Sequence, residues 1–198
     1  IKDDSSRKNY IKIINDENKR LGVQVEKVLS IAQSEKENYR ITFEKICINK
    51  IIKDSVDINS FKIKKRDGEI ILNLSSDESF IYGNYDHLIN VFNNLIDNAN
   101  KYCADKPIIN ISSTRTNNIL EVAISDNGIG IKNSNIDKIF DKFYREPQGN
   151  IHNVKGFGLG LSYVKNILNK HKATIDVESK INNGTKFIIN FKSYGRNK

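Results

Sequence analysis

From about Ser5 to Glu37 the chain runs without proline and with Gly22 as its one glycine, while Arg7, Ile14, Leu21 and Val28 recur at heptad spacing. Tyr10, Ile11, Val25, Ile31 and Ala32 lie beside that line. The spacing predicts one long helix with a seam of the coiled-coil kind. Glu17 and Gln24 interrupt the seam, which points to packing in a bundle rather than in a strict two-stranded coil.

After "SEKENY" the period changes. "YRITF" alternates as a strand does, and Glu44 to Val56 carries helical spacing through Ile46, Cys47, Ile51 and Ile52. "GEIILNLS" and "FIYGN" read as short strands. A second strong helix is predicted over Tyr85 to Lys101, with Leu88, Val91, Phe92, Leu95, Ile96 and Ala99 on its apolar side. Then come the strands "PIINISSTR" and "ILEVAISD", joined by a turn at Asn117-Asn118, and an irregular glycine-bearing region from Asn127 to Gly158. A helix from Gly160 to His171 and the strands "ATIDVES" and "TKFIINF" complete the pattern. The alternation predicts an α+β fold, a two-layer α/β sandwich whose mixed sheet carries its helices on one face. Two domains are expected: a long helix over residues 1–38 and a sandwich over residues 39–198.

Length and composition add limits. At 198 residues the chain can bury a substantial core. Its net charge of +8 is spread along a lysine- and asparagine-rich sequence rather than gathered with aromatics into one stripe, so nucleic acid is not expected as a partner, whereas a polyphosphate ligand suits the charge. Cys47 and Cys103 have neither metal-ligand spacing nor a framework to bridge, which suits a reducing compartment. No run approaches the roughly 18 to 20 apolar residues of a membrane span, so no membrane contact is expected of this piece. The start at Ile1 and the lack of any methionine suggest a fragment of a longer protein.

Three stretches carry candidate chemistry. In "NNLIDNANKY", Asn94, Asn98 and Lys101 share one face of the predicted helix, either as a solvated surface or as a ligand-facing stripe. In "SDNGIGI", a strand that has delivered Val122, Ala123 and Ile124 stops at Asp126 and breaks into Gly128 and Gly130, as a plain hairpin or as a site. In "GFGLGLS", Gly156, Gly158 and Gly160 open a helix whose N-terminal N–H groups suit an anion, although the spacing matches neither the dinucleotide nor the P-loop pattern. Between the last two, "IFDKFYR" offers Phe140, Phe143 and Tyr144 as core or as a lid hinge, and Arg145 as a surface charge or a phosphate contact.

Taken in order, "NNLIDNANKY", "DNGIGI", "IFDKFYR", "GFGLGLS" and "NNGTKF" resemble the asparagine box, first glycine box, phenylalanine box, second glycine box and terminal glycine-threonine element of the sensor histidine kinases, over about Tyr39 to Phe191. The resemblance implies the Bergerat ATP-binding fold, with ATP and Mg2+ as ligands. It implies that Asn98 ligates Mg2+ with help from Asn94, that Lys101 and Arg145 hold the terminal phosphates, and that Tyr102 covers the adenine. Asp126 would accept from the adenine amino group, a choice that disfavours guanine because a carboxylate can only accept. Gly128 and Gly130 would turn the chain beneath the purine, with apolar contact from Ile131. Gly156, Phe157, Gly158, Leu159, Gly160 and Leu161 would form the lid, and Thr185 would close the adenine side. In the ATP-hydrolysing branches of the superfamily a glutamate base stands where this chain has Asn94, and an amide cannot take a proton near neutral pH. That disfavours a gyrase- or chaperone-like ATPase, while a non-catalytic ATP-dependent interaction module stays open.

Such kinases phosphorylate a histidine in a motif of the form His-Glu/Asp-x-x-Ser/Thr/Asn-Pro. His87, His152 and His171 all lack it, and His171 falls at a helix end where a cationic side chain suits the dipole. The first helix resembles the second half of the family's dimerisation and phosphotransfer hairpin. The acceptor helix is therefore expected outside this chain, with homodimerisation through the hairpin, a response regulator receiver domain as partner, and a cytoplasmic location as part of a membrane-anchored sensor.

Overall fold

The computed structural model describes residues 4–34, 41–75, 79–145 and 157–193. By its internal contacts the chain divides into two compact units, Ile1–Arg40 and Ile41–Lys198. The described residues of the first unit form one helix, α1 (Asp4–Ser34). The seam residues Ile14, Leu21 and Val28 are exposed on it. The last three residues of the predicted helix lie outside the described residues.

The second unit begins with β1 (Glu44–Cys47) and α2 (Ile48–Lys64), followed by β2 (Glu69–Leu74), β3 (Phe80–Gly83) and α3 (Tyr85–Lys101). The hairpin strands β4 (Ile108–Thr116) and β5 (Ile119–Asp126), two short 3-10 turns, α4 (Gly160–Lys170), β6 (Thr174–Ser179) and β7 (Thr185–Lys192) complete it. Five strands form one mixed sheet in the order β2-β4-β5-β7-β6, and β1 and β3 form a separate antiparallel ribbon. Within the sheet β2 runs parallel to β4, and the other neighbours are antiparallel.

The period-two pattern decides which face is buried. Residues paired directly across an antiparallel ladder point to the same side. The pairs Ile111↔Ile124, Leu120↔Phe191, Val122↔Ile189 and Ile124↔Phe187 place one continuous apolar surface on the inner face, and all of these residues are buried. Against that face pack α2, α3 and α4, each touching a different part of the sheet.

Helix α3 forms for local reasons as well. The Asn84 side chain accepts from the His87 backbone N–H at 3.0 Å as an N-cap. Asp86 in the first turn and Lys101 in the last suit the helix dipole. Its whole expected apolar stripe, from Leu88 to Ala99, is buried.

One boundary differs from the sequence pattern. The strand expected at "YRITF" instead begins at Glu44, and the helix expected from Glu44 begins at Ile48. Of the "YRITF" residues, 41–43 are irregular and the first two lie outside the described residues. Ile46 and Cys47 satisfy either period, and the ribbon partner in β3, paired as Ile46↔Ile81, decides for strand.

Candidate functional site

Strand β5 alternates Leu120, Val122 and Ile124 into the core, and Asp126 takes the next inward position. A carboxylate therefore stands where the pattern would otherwise place an apolar side chain. Burial pushes its pKa upward, opposed by hydrogen bonds from the backbone N–H groups of Gly128 and Thr185. Both donors use Oδ1, at 2.8 and 3.2 Å. Among the described residues no group donates a hydrogen bond to Oδ2, so one oxygen is structural and the other remains available.

The glycines beside it are required by close approach. Gly184 has φ +81, and a Cβ there would stand 1.8 Å from the Asp126 carbonyl oxygen. Gly130 has φ +70, and its Cβ would meet the Lys180 carbonyl oxygen at 2.1 Å. The turn is further tied by the Ile129 N–H to the Tyr102 carbonyl at 3.0 Å and by the Asn182 N–H to the Ile129 carbonyl at 2.8 Å. Ser179, which the sequence pattern did not single out, takes the Ile131 N–H at 2.8 Å and lies 2.9 Å from the Thr185 hydroxyl. The β6–β7 turn and the β5 end are thereby built as one unit. Thr185 is buried.

Across the site lies one face of α3. The Asn94 amide donates to the Asn90 carbonyl at 2.7 Å, and a Cβ on Gly160 would stand 3.1 Å from Asn94 Oδ1. The asparagine stripe and the start of α4 therefore adjoin. Asn98 is half-buried, and its amide makes no hydrogen bond among the described residues. Lys101 forms an ion pair with Asp97 one turn earlier. Tyr102, half-buried, caps the C-terminus of α3 with its N–H on the Asn98 carbonyl at 2.9 Å.

Helix α4 starts without a side-chain N-cap, which leaves its first N–H groups for another acceptor. Leu159 is buried there, Phe157 is exposed, and Gly160 and Leu161 are half-buried. The Phe143 N–H donates to the Gly158 carbonyl at 3.0 Å. Both residues have positive φ, +64 at Phe143 and +70 at Gly158. Arg145, exposed, follows at the edge of this segment. Gly156 and His152 lie outside the described residues.

The other two histidines are held in the fold. His171 is buried, accepts the Asn84 N–H at Nε2 (3.0 Å) and donates from Nδ1 to the Ile167 carbonyl at 2.7 Å. A ring nitrogen that accepts belongs to a neutral imidazole, and burial lowers its pKa in the same sense, so His171 braces α4 against the start of α3 rather than serving as the cationic helix end its position suggests. His87 Nδ1 lies 3.0 Å from the Tyr163 hydroxyl, and burial lowers its pKa also.

Known proteins share this architecture. The mycobacterial sensor histidine kinase MprB superposes with a TM-score of 0.68 at 22% identity, over 76% of this chain and 97% of that one. The histidine kinase ThkA, solved in complex with the response regulator protein TrrA, superposes with a TM-score of 0.75 at 23% identity, over 100% of this chain and 55% of that one. Sensor protein RprX of Bacteroides fragilis strain YCH46 is 44% identical over 181 residues, 89% of this chain and 34% of its own length. The chain thus spans about a third of the length of the curated relatives it matches. Residues 83–195, which run from β3 through β7 and hold the aspartate, both glycine turns and the asparagine stripe, match the histidine kinase-, DNA gyrase B- and HSP90-like ATPases, and the chain belongs to that family.

Proposed function

We propose that residues 41–193 bind Mg-ATP and transfer its γ-phosphoryl group to a histidine on another helix, as the catalytic part of a sensor histidine kinase. The observation that carries the reading is the divided carboxylate of Asp126: Oδ1 is held by two backbone donors, and Oδ2 is left to accept from an exocyclic amine such as that of adenine. Tyr102 and Ile131 flank the base, and Thr185 closes its edge. The family membership supports ATP as the nucleotide.

The phosphates then lie toward α3 and α4. Asn98 supplies an amide oxygen and Asn94 assists, a hard donor set suited to magnesium. No cluster of three His, Cys, Asp or Glu able to hold a metal occurs among the described residues, and Asn98 and Asn94 are the residues that would hold the ion. When bound, magnesium would neutralise charge on the phosphates. Phe157 to Leu161 present backbone N–H groups and the positive end of α4 to them, while Lys101 and Arg145 orient the terminal group. Phosphoryl transfer needs little more from the protein than position and charge: the bond from phosphorus to the bridging oxygen breaks, ADP keeps the electron pair, and an imidazole nitrogen takes the phosphorus.

His87 and His171 make poor acceptors, because each is engaged in hydrogen bonds that hold the fold. Helix α1 suits one half of a dimerising hairpin, its exposed seam at Ile14, Leu21 and Val28 being available to other helices, and a receiver domain is the final phosphate acceptor. Asn94, in place of a base, argues for transfer over hydrolysis. The test is radiolabelled ATP offered to this chain with a separately supplied acceptor helix. Acid-labile label on that helix, little on the chain and slow steady-state hydrolysis are expected; brisk hydrolysis without transfer would refute the reading.

A further inference from the structure

The loop between α3 and β4 is held from two sides by side chains that no phosphate or base would touch. From the end of α2, the Arg66 guanidinium donates through Nη1 to the Asn100 carbonyl and to Asn100 Oδ1, the latter at 3.2 Å. Through Nη2 it donates to the carbonyls of Cys103 at 2.7 Å and Asp105 at 3.1 Å. A helix C-terminus leaves carbonyls unpaired and attracts a cation, and the planar guanidinium can serve several acceptors at once where an ammonium could not. From the end of β5, Asn127 Oδ1 accepts the Ile108 N–H at 2.9 Å and the Cys103 thiol at 3.3 Å, while Nδ2 donates to the Lys106 carbonyl at 3.0 Å.

What lies between these two ties is the brace of the purine floor. The Tyr102 carbonyl accepts the Ile129 N–H, and it stands 2.7 Å from where a Cβ on Gly128 would be. Any retreat or rotation of the loop moves the turn that carries Gly128, and with it the donor that fixes Asp126 Oδ1 at 2.8 Å. There is little slack at the far end either. A Cβ on Gly68, two residues after Arg66, would stand 2.5 Å from the Pro107 ring, and the Glu69 N–H is bonded to the Pro107 carbonyl at 2.9 Å.

We infer that Arg66 and Asn127 act as a clamp on the α3–β4 loop, positioning the Tyr102 carbonyl and hence the turn that aims Asp126 at the base. The inference rests on the assignment of this pocket to adenine. Arg66 is a positioning residue, more than thirty places in sequence from the carbonyls it holds, and its contribution is to the base half of the ligand alone. Its loss should weaken adenosine, ADP and ATP by one common factor, leaving the increments from each added phosphate unchanged.

The experiment compares wild-type protein with Arg66→Met and Arg66→Lys. Calorimetry with adenosine, ADP and Mg-ATP is paired with amide hydrogen exchange in the nucleotide-free protein. Arg66→Met is expected to lower all three affinities by about tenfold, as loss of charge-assisted hydrogen bonds does. Arg66→Lys should fall between the two, and the Ile129 amide should exchange faster in both variants while Ile111 and Val122 in the β4–β5 ladder keep their rates. Should Arg66→Met fail to fold, the lysine variant carries the test. A uniform rise in exchange across the domain, or unchanged affinities in folded variants, would overturn the clamp while leaving the ATP site standing. Wild-type protein that bound no ATP would overturn both.

Discussion

The backbone N–H of Thr185 donates to Oδ1 of Asp126 across 3.2 Å, one position beyond Ser125↔Lys186, where the β5–β7 ladder ends. A side chain thus continues a pairing that the two backbones have just given up. The arrangement needs Gly184 beside it, since its α-carbon faces the Asp126 carbonyl with no room for a methyl group.

Asp126 therefore carries opposed demands. Burial raises its pKa above the usual carboxylate value of 3.8, so the folded state holds this proton more tightly than the unfolded one. The sign follows: its contribution to stability is fully present below the unfolded value and is lost as pH rises through the raised one. At neutral pH the ionised group is a burden on the fold. Asp126→Asn should melt no lower than wild type at pH 7, yet bind ATP at least about tenfold more weakly, by loss of a charged acceptor. Calorimetry and thermal melts on the same sample check both halves.

His171 gives a dependence of the opposite sign. Burial lowers its pKa below 6.5, the Ile167 hydrogen bond opposes this, and His87 adds repulsion. Stability is complete above the unfolded value and declines as pH falls through the lowered one. His87 adds to the same slope, its burial and Lys170 outweighing the attraction of Asp86. Melting temperature should fall between pH 7 and pH 5, and His171→Gln should flatten part of that fall while lowering stability at pH 7.

Gly184→Ala places a methyl group on the Asp126 carbonyl at φ +81. Strain of both kinds predicts a loss of roughly 3 kcal/mol in urea unfolding. ATP affinity should fall as well, because the same contact holds the floor of the site.

Removal of magnesium tests the asparagine face. With wild-type protein, EDTA should weaken ATP binding by about tenfold or more, as loss of a bridging cation does. Asn98→Ala should bind ATP weakly with or without the metal, since the amide oxygen proposed as its protein ligand is gone. An unchanged metal dependence would move the ligand elsewhere.

Much of this architecture is written in local periods. The stripe from Leu88 to Ala99 follows one period over enough residues to exclude the other, while Leu120 to Ile124 read as a strand from their β-branched residues and the turn before them, and both elements lie where expected. Ile46 and Cys47 do not, because four residues of strand hold too little pattern to outweigh an adjoining helix. Within the site, the glycines and amides stand out by residue type. Ser179 and Arg66 do not, and Asn127 shows nothing of its partners, for these roles come from groups that only the folded chain brings near: the Ile131 N–H, the carbonyls after α3 and the Lys106 carbonyl. His171 shows the same limit, its end-of-helix position suggesting a cation where tertiary burial enforces a neutral ring.

Strand β5 is the middle strand of five, hydrogen-bonded along its length to β4 on one side and β7 on the other. A segment so placed is expected to open last in local fluctuations, whereas the side chains of Phe143 and Phe157 stand exposed. The candidate site thus joins a strand paired on both edges to exposed residues before α4. A nucleotide seated there would meet on its base side a wall already set by strand pairing.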